Sequence, residues 1–221
     1  MKQCYPVISP VFLSVFLACS SGSQFTPIFD GSTLNGWEVK SGPENIWQVE
    51  NGVIACEGGG YPIGWLGTVK KYRNFVFTCE WKIVENGNSG VFLRVADDTE
   101  QNPAYDSIEI QVCDDDGSEY KNLEPKEISG AIYAVAGAKK RMYNGTNRWN
   151  KYVITCSGPH ITLEYNGELV LDVDARQHYK PFTWFNRERR PLMQRPREGY
   201  IALQTHGSKV WFRNIRIREI E

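Results

Sequence analysis

The residues best suited to chemistry fall in short runs that alternate polar and apolar side chains. Ser107–Val112 sets Glu109 and Gln111 against Ile108, Ile110 and Val112. Gly90–Val95 sets Phe92 and Arg94 against Val91, Leu93 and Val95, and Tyr200–His206 sets Gln204 and His206 against Ile201 and Leu203. A fourth run, Phe75–Ile83, turns Glu80 and Lys82 away from Phe77, Cys79, Trp81 and Ile83. A period of two is that of a β-strand, whose successive side chains point to opposite faces. Carboxylates and imidazoles transfer protons, a guanidinium stabilises developing negative charge, and amides and aromatic rings bind the polar and apolar faces of a small molecule. If these strands are neighbours in one curved sheet, their polar-plus-aromatic faces line a groove. Blander roles stay open for each residue. Arg94 can pair structurally with Glu80 or Glu109, Glu109 can be solvated, His206 can cap the turn at Gly207, and Asn88-Ser89-Gly90 can be strand-entry turn chemistry.

Strands must also fill the rest of the chain. Further runs are Trp47–Val49, Val53–Cys56, Ala131–Ala134, Tyr152–Ser157, His160–Tyr165, Glu168–Val173, Gly199–Thr205 and Lys209–Arg218. Turn signals such as Glu50-Asn51-Gly52, Asn86-Gly87 and Asn144-Gly145 separate them, and no stretch of a dozen residues holds a helical period. Tyr165-Asn166-Gly167-Glu168 predicts a two-residue hairpin, because Asn-Gly suits the positive φ angles of such a turn. Many short strands with regular turns predict an all-β sandwich or barrel, and the lack of an internal repeat argues against a propeller. The longest irregular stretch, Arg176–Glu198, holds seven Lys/Arg against two acids, with Phe182, Trp184 and Phe185 among them. Such a stretch is either a lid or groove wall, or a solvated excursion anchored by its aromatics.

The chain has 221 residues, 41% of them hydrophobic, which is enough apolar side chain for the core of one domain. With 25 Lys/Arg against 26 Asp/Glu, there is no basic surplus to suggest a nucleic-acid partner. No apolar run reaches the roughly 18 residues of a membrane-spanning helix. Met1-Lys2, the largely apolar Val7 to Ala18, and Cys19 followed by Ser20-Ser21-Gly22-Ser23 resemble a bacterial lipoprotein signal. The expected organisation is therefore a signal peptide over 1–18, a tether over 19–24 and one domain over 25–221. Cys19 would carry a lipid anchor to the membrane in the cell envelope, facing periplasm or cell surface; without lipidation the protein would be secreted. Cys56, Cys79, Cys113 and Cys156 remain, an even number that allows disulfides, although Cys79 and Cys156 read as buried free thiols. Their spacing is not that of a zinc site, and Asp114-Asp115-Asp116-Gly117 reads as a turn rather than a calcium loop. A divalent metal ion held by His206 and carboxylates stays open as a cofactor, and nothing in the sequence sets an oligomeric state.

A longer set of motifs occurs in order along the chain. It runs from Phe29-Asp30-Gly31 and Leu34-Asn35-Gly36-Trp37 through Trp47-Gln48-Val49-Glu50-Asn51-Gly52 and Glu80-Trp81-Lys82 to Asn88-Ser89-Gly90-Val91-Phe92-Leu93-Arg94. It continues with Glu109-Ile110-Gln111-Val112, Gly130-Ala131-Ile132-Tyr133, Gly199-Tyr200-Ile201-Ala202-Leu203-Gln204-Thr205-His206-Gly207 and Phe212-Arg213-Asn214-Ile215. Together these resemble the 3-keto-disaccharide hydrolase domain family over about residues 25–221. The resemblance implies a jelly-roll β-sandwich of two antiparallel sheets, of the concanavalin A-like lectin/glucanase type. It also implies action on glycosides or oligosaccharides whose C3 hydroxyl has been oxidised to a ketone.

Ordinary glycosidases use two carboxylates, and Gln111 is an amide where a second acid would be expected, which leaves Glu80 as the partner of Glu109. A 3-keto sugar offers another route, because its C2 hydrogen is next to a carbonyl. Loss of that proton gives an enolate that expels the C1 substituent, and water can add afterwards. In that chemistry Glu109 or His206 is the base and leaving-group acid, and Arg94 holds the oxyanion. Gln111, Gln204 and Asn88 would bind sugar hydroxyls; Phe92, Tyr133 or Trp184 would stack on the ring, with Glu80 and Lys82 also at the substrate. The alternatives are a conventional endo-glucanase-like hydrolase and a non-catalytic carbohydrate-binding lipoprotein.

Overall fold

The computed structural model describes Met1 and residues 24–60, 63–97, 103–184 and 186–221. Residues 2–18 of the segment read as a signal peptide, and Cys19 and Phe185, lie outside the described residues. Among the described residues there are fifteen strands: β1 (Thr26–Pro27), β2 (Trp37–Ser41), β3 (Trp47–Glu50), β4 (Val53–Cys56), β5 (Gly64–Thr68), β6 (Phe75–Ile83), β7 (Asn88–Val95) and β8 (Ile108–Cys113). They continue with β9 (Asn150–Ser157), β10 (His160–Tyr165), β11 (Glu168–Asp174), β12 (Phe182–Trp184), β13 (Arg187–Arg189), β14 (Tyr200–Thr205) and β15 (Val210–Glu219). The only helical pieces among the described residues are short 3-10 turns.

The strands form an eight-stranded sheet in the order β11-β10-β9-β6-β15-β4-β3, with β1 on β15, and a five-stranded sheet in the order β2-β5-β14-β7-β8. Strands β12 and β13 form a separate hairpin. Every pairing is antiparallel, and the two large sheets face each other as a jelly-roll sandwich. Alternation selects the core: Phe77, Cys79, Trp81 and Ile83 of β6 are wholly buried against Val91, Leu93, Ile110, Ile154 and Leu203. The predicted hairpin closes between Tyr165 and Glu168, with Asn166 and Gly167 at φ 51° and 88°. Cys56, Cys79, Cys113 and Cys156 are buried free thiols, and burial pushes Cys156 up to about 11, so it is a neutral packing residue. Asp114 is turn chemistry: it accepts from Asn86 N at 2.8 Å, Tyr143 Oη at 2.9 Å and Thr146 Oγ1 at 2.7 Å.

Residues 131–134 do not form the strand that their alternation predicts. They run along the outer edge of β8, where Tyr133 N donates to Glu109 O at 2.9 Å and Gly130 N to Gln111 O at 3.0 Å. Ala134, at φ 63°, turns the backbone out of strand geometry. The segment still covers an edge that would otherwise present unpaired main-chain groups. Strand β5 escaped prediction because Gly64 and Gly67 erase the alternation in Gly-Trp-Leu-Gly-Thr. Gly64 is required there, since a Cβ would lie 2.7 Å from Ser41 O on β2.

Arg94 is not on the groove face, and a β-bulge is the reason. Ala202 pairs with Phe92 but Tyr200 pairs with Val95, so Leu93 and Arg94 together oppose Ile201. Arg94 takes up the extra residue at φ 57°. Val95 then returns to the side of Phe92, and the Arg94 side chain is fully buried elsewhere. Its Nε and Nη2 donate to Arg73 O at 2.9 and 2.5 Å, and its Nη1 donates to Gly158 O at 2.9 Å. Burial lowers its pKa from the usual arginine value. With its donors committed to main-chain carbonyls, Arg94 ties the end of β7 to the turn after β9. Arg94→Met keeps the stem and removes both side-chain donors from Arg73 O, while Gly158 O keeps Arg197 Nη1 at 3.2 Å, and should cost about 2 kcal/mol in urea denaturation. An unchanged midpoint would mean that this tie contributes nothing.

Candidate active site

The outer face of the five-stranded sheet is built in two rows. Gln204 pairs with Trp65 and Gly90 with Gln111, while Ala202 pairs with both Gly67 and Phe92, and Phe92 with Glu109. Trp65, Phe92, Val95 and Ala202 pack into an apolar floor flanked by Tyr200. Gln111 Nε2 donates to Asn88 Oδ1 at 3.3 Å, and Tyr120 hydrogen-bonds to Asn88 from the next loop. Gly90 makes room for the polar heads: a Cβ there would lie 2.8 Å from Glu109 Oε1 and 3.1 Å from Gln204 Oε1. Glu109 is only 5% exposed. Burial pushes its pKa up to about 7, although the nearby Arg189, a hydrogen bond from Gln204 and the charge of Arg195 all act to lower it.

Both arginines come from the basic stretch. Arg189, at the end of β13, is buried, with its guanidinium carbon 3.8 Å from the centre of the Tyr105 ring. Arg195 is also buried; its Nη1 donates to Ser107 O at 2.6 Å and its Nε to Arg190 O at 3.0 Å. Burial and the neighbouring Arg189 pull its pKa down to about 10, so it stays cationic at neutral pH. Arg190 pairs with Asp106 at 3.5 Å. The stretch is thereby fastened to the turn that leads into β8 and forms a wall of the groove. On the β8 edge, Tyr133 meets Trp184 edge to face with ring centres 6.1 Å apart, and Lys126 Nζ is 4.2 Å from the Trp184 ring centre. Burial raises the Tyr133 phenol above its usual value, which keeps it a neutral hydrogen-bonding group beside Glu109. Trp184 also walls a cavity of about 590 Å³ with Lys126, His178, Phe182 and Leu192.

Seven of the sequence-selected residues come together: Glu109, Gln111, Asn88, Phe92, Gln204, Tyr133 and Trp184. His206 lies in the bend after β14, two residues past Gln204, and is exposed at the rim. Glu80 and Lys82 are not part of the groove. Their strand, β6, pairs with β9 and β15 in the other sheet, so both project from the opposite face of the sandwich. Arg213 Nε and Asn214 Nδ2 donate to Glu80 at 2.8 and 2.9 Å, and Lys82 Nζ lies 4.3 Å from the Trp211 ring centre. Among the described residues, no three His, Cys, Asp or Glu side chains converge as metal ligands.

Sequence reasoning missed Arg189, Arg195, Tyr120 and Trp65. The cationic density of residues 176–198 was the available signal for the arginines, while nothing in the sequence distinguished Trp65. The assembled groups form one titrating carboxylate, donor-only guanidiniums, two phenols, amides and an aromatic floor. Such a set can move a proton on a neutral polar molecule and stabilise the negative charge that develops. Arg189→Gln removes the strongest charge that lowers the Glu109 pKa, so that pKa should rise above 7 in a carbon-13 NMR titration of the carboxyl. An unchanged value would mean that the guanidinium is screened from Glu109.

Residues 24–218 match the family model described as a 3-keto-alpha-glucoside-1,2-lyase-like domain. The 3-keto-disaccharide hydrolase of Bacteroides thetaiotaomicron is 29% identical over 89% of this chain and 79% of its own length. A candidate glycosyl hydrolase of Parabacteroides distasonis is 28% identical with a TM-score of 0.77, over 89% of this chain and 100% of that one. A β-glucanase of Bacillus licheniformis, 13% identical with a TM-score of 0.53 over 91% of this chain and 100% of its own, shares the fold. The chain belongs to the family of 3-keto-alpha-glucoside-1,2-lyase-like domains.

Proposed function

We propose that this protein cleaves the glycosidic bond of 3-keto-glycosides and 3-keto-disaccharides, with Glu109 as the base. The observation that carries this proposal is a buried carboxylate of pKa about 7 facing the charges of Arg189 and Arg195. A base of that pKa is ionised often enough at neutral pH to act, and basic enough to take a proton from carbon. Glu109 removes the C2 proton, and the carbon–hydrogen electron pair passes into the enolate, whose oxygen faces the guanidiniums. Collapse of the enolate breaks the C1–oxygen bond. The proton now on Glu109 goes to the departing oxygen, which returns the carboxylate to its starting form. Addition of water across the new C1–C2 double bond would complete net hydrolysis. No step is assigned to a metal ion.

The placement of Glu80 favours this route over a conventional glycosidase built on Glu80 and Glu109. Those two carboxylates are on opposite faces of the sandwich and do not flank one bond. Export is the second part of the proposal and rests on the sequence around Cys19; metabolic labelling with a palmitate analogue, lost in Cys19→Ala, checks it.

The test is turnover of a 3-keto-glucoside in D₂O, followed by NMR with and without chelator. Glu109→Gln should lower kcat about 10²- to 10⁴-fold with KM little changed, while His206→Ala should cost less than tenfold. Because the base must be ionised, kcat/KM should rise with pH through about 7 and level off above it. A profile that falls through that range would instead make Glu109 an acid. Cleavage of the unoxidised parent glycoside at an equal rate would overturn the proposed chemistry, and binding without turnover would leave a carbohydrate-binding module.

A further inference from the structure

Two buried polar atoms on the groove floor have no hydrogen-bond partner among the described residues: Trp65 Nε1 and Gln204 Oε1. Trp65 is 5% exposed and Gln204 2%, so neither is simply solvated. A buried polar group left unpaired costs about 1–3 kcal/mol, and such groups are few in folded proteins. Trp47 and Trp81 also have unpaired indole nitrogens, but they pack in the core between the sheets. Trp65 belongs to the separate cluster with Phe92, Val95 and Ala202 on the groove face. Its ring lies over Gly67, where a Cβ would come within 2.9 Å of Trp65 Cζ3. The register of β5 and β14 puts Trp65 directly opposite Gln204. The Gln204 amide already serves Glu109 through its donor end, so its carbonyl is the end left over.

We infer that the Trp65 indole N–H and the Gln204 side-chain carbonyl together bind one hydroxyl of the sugar, which makes Trp65 a specificity-determining residue. A hydroxyl both donates and accepts, and therefore satisfies both atoms. A ketone only accepts, and would leave the Gln204 carbonyl unpaired. The other wall is the reverse: Arg189 and Arg195 offer only donors, which suits a carbonyl or enolate oxygen. The two walls thus fix how the ring lies over Glu109, with the ketone toward β13 and a hydroxyl toward β5. This inference rests on the proposed action on 3-keto sugars and adds the group that orients them.

The test compares wild type, Trp65→Phe and Gln204→Met on a 3-keto-glucoside and its monodeoxy analogues. Calorimetric binding of the unreactive parent glucoside runs alongside, and a melting curve checks the fold of each variant. One analogue should lose about tenfold in kcat/KM with wild type, the worth of one good hydrogen bond near 1.4 kcal/mol. Trp65→Phe should lose about tenfold on the full substrate and little more on that analogue, with Gln204→Met showing the same collapse of the deoxy penalty. Full retention of every deoxy penalty in the folded variants would overturn the inference, as would Trp65→Phe matching wild type in turnover and binding. If wild type turns over no 3-keto sugar, the proposed chemistry fails. The binding titration then still decides the hydroxyl contact, which stands if both variants weaken it about tenfold and falls if neither does.

Discussion

Burying Glu109 is the constraint on which the groove depends. A carboxylate in the middle of a strand, 5% exposed, costs several kcal/mol to ionise unless its surroundings supply compensating charge and donors. The surroundings here supply just enough to leave the balance near neutrality. Arg189, Arg195 and Gln204 pull the pKa down, desolvation pushes it up, and the result is about 7. The arginines face the same difficulty, and Arg195 resolves it by donating to Ser107 O and Arg190 O rather than to the carboxylate. Its charge therefore acts on Glu109 without a bond that would lock the ionised form. Low dielectric makes each of these effects larger than at the surface, so small changes in the wall shift the protonation of the floor.

The period of two identified most strands and the groove face of β7, β8 and β14, because a half-buried sheet must alternate. It failed where that rule is locally broken. At Arg94 one inserted residue exchanges the faces, so the guanidinium that alternation aims at the groove is replaced there by Val95. At β5 the glycines that admit the neighbouring backbone and the Trp65 ring also remove the side chains from which a strand would be recognised. Glu80 was misplaced for a different reason. Alternation assigns a residue to one face of its strand, but not the strand to one of two sheets, and β6 joins β9 and β15.

The arginine wall was hidden by distance along the chain. Residues 176–198 are visibly cationic, yet Arg189 and Arg195 enter the groove only because Ser107 O and the Tyr105 ring, more than 80 positions earlier, receive them. Such contacts are set by topology, as β11 leaves one sheet and β14 enters the other with this stretch between them. Composition marks a charge cluster but carries no information about which of its members will be desolvated. Of the seven cations, Arg189 and Arg195 are buried, while Arg176, Lys180 and Arg190 are exposed.

Chemistry and recognition in this groove impose the same demand on a ligand. One side offers only hydrogen-bond donors, the other has a donor and an acceptor unspent, and a carboxylate that titrates near pH 7 lies between them. A fully hydroxylated sugar would meet both sides with the same group and gain nothing from the difference. A sugar carrying a ketone and a hydroxyl on neighbouring or nearby carbons matches it, and only the ketone makes an adjacent C–H acidic enough for one carboxylate to remove. Under the proposed chemistry the oxidation that activates the substrate also orients it. A groove with Glu109 as its buried base then needs no second acid of the kind that Glu80, held by Arg213 and Asn214 on the far face, does not supply.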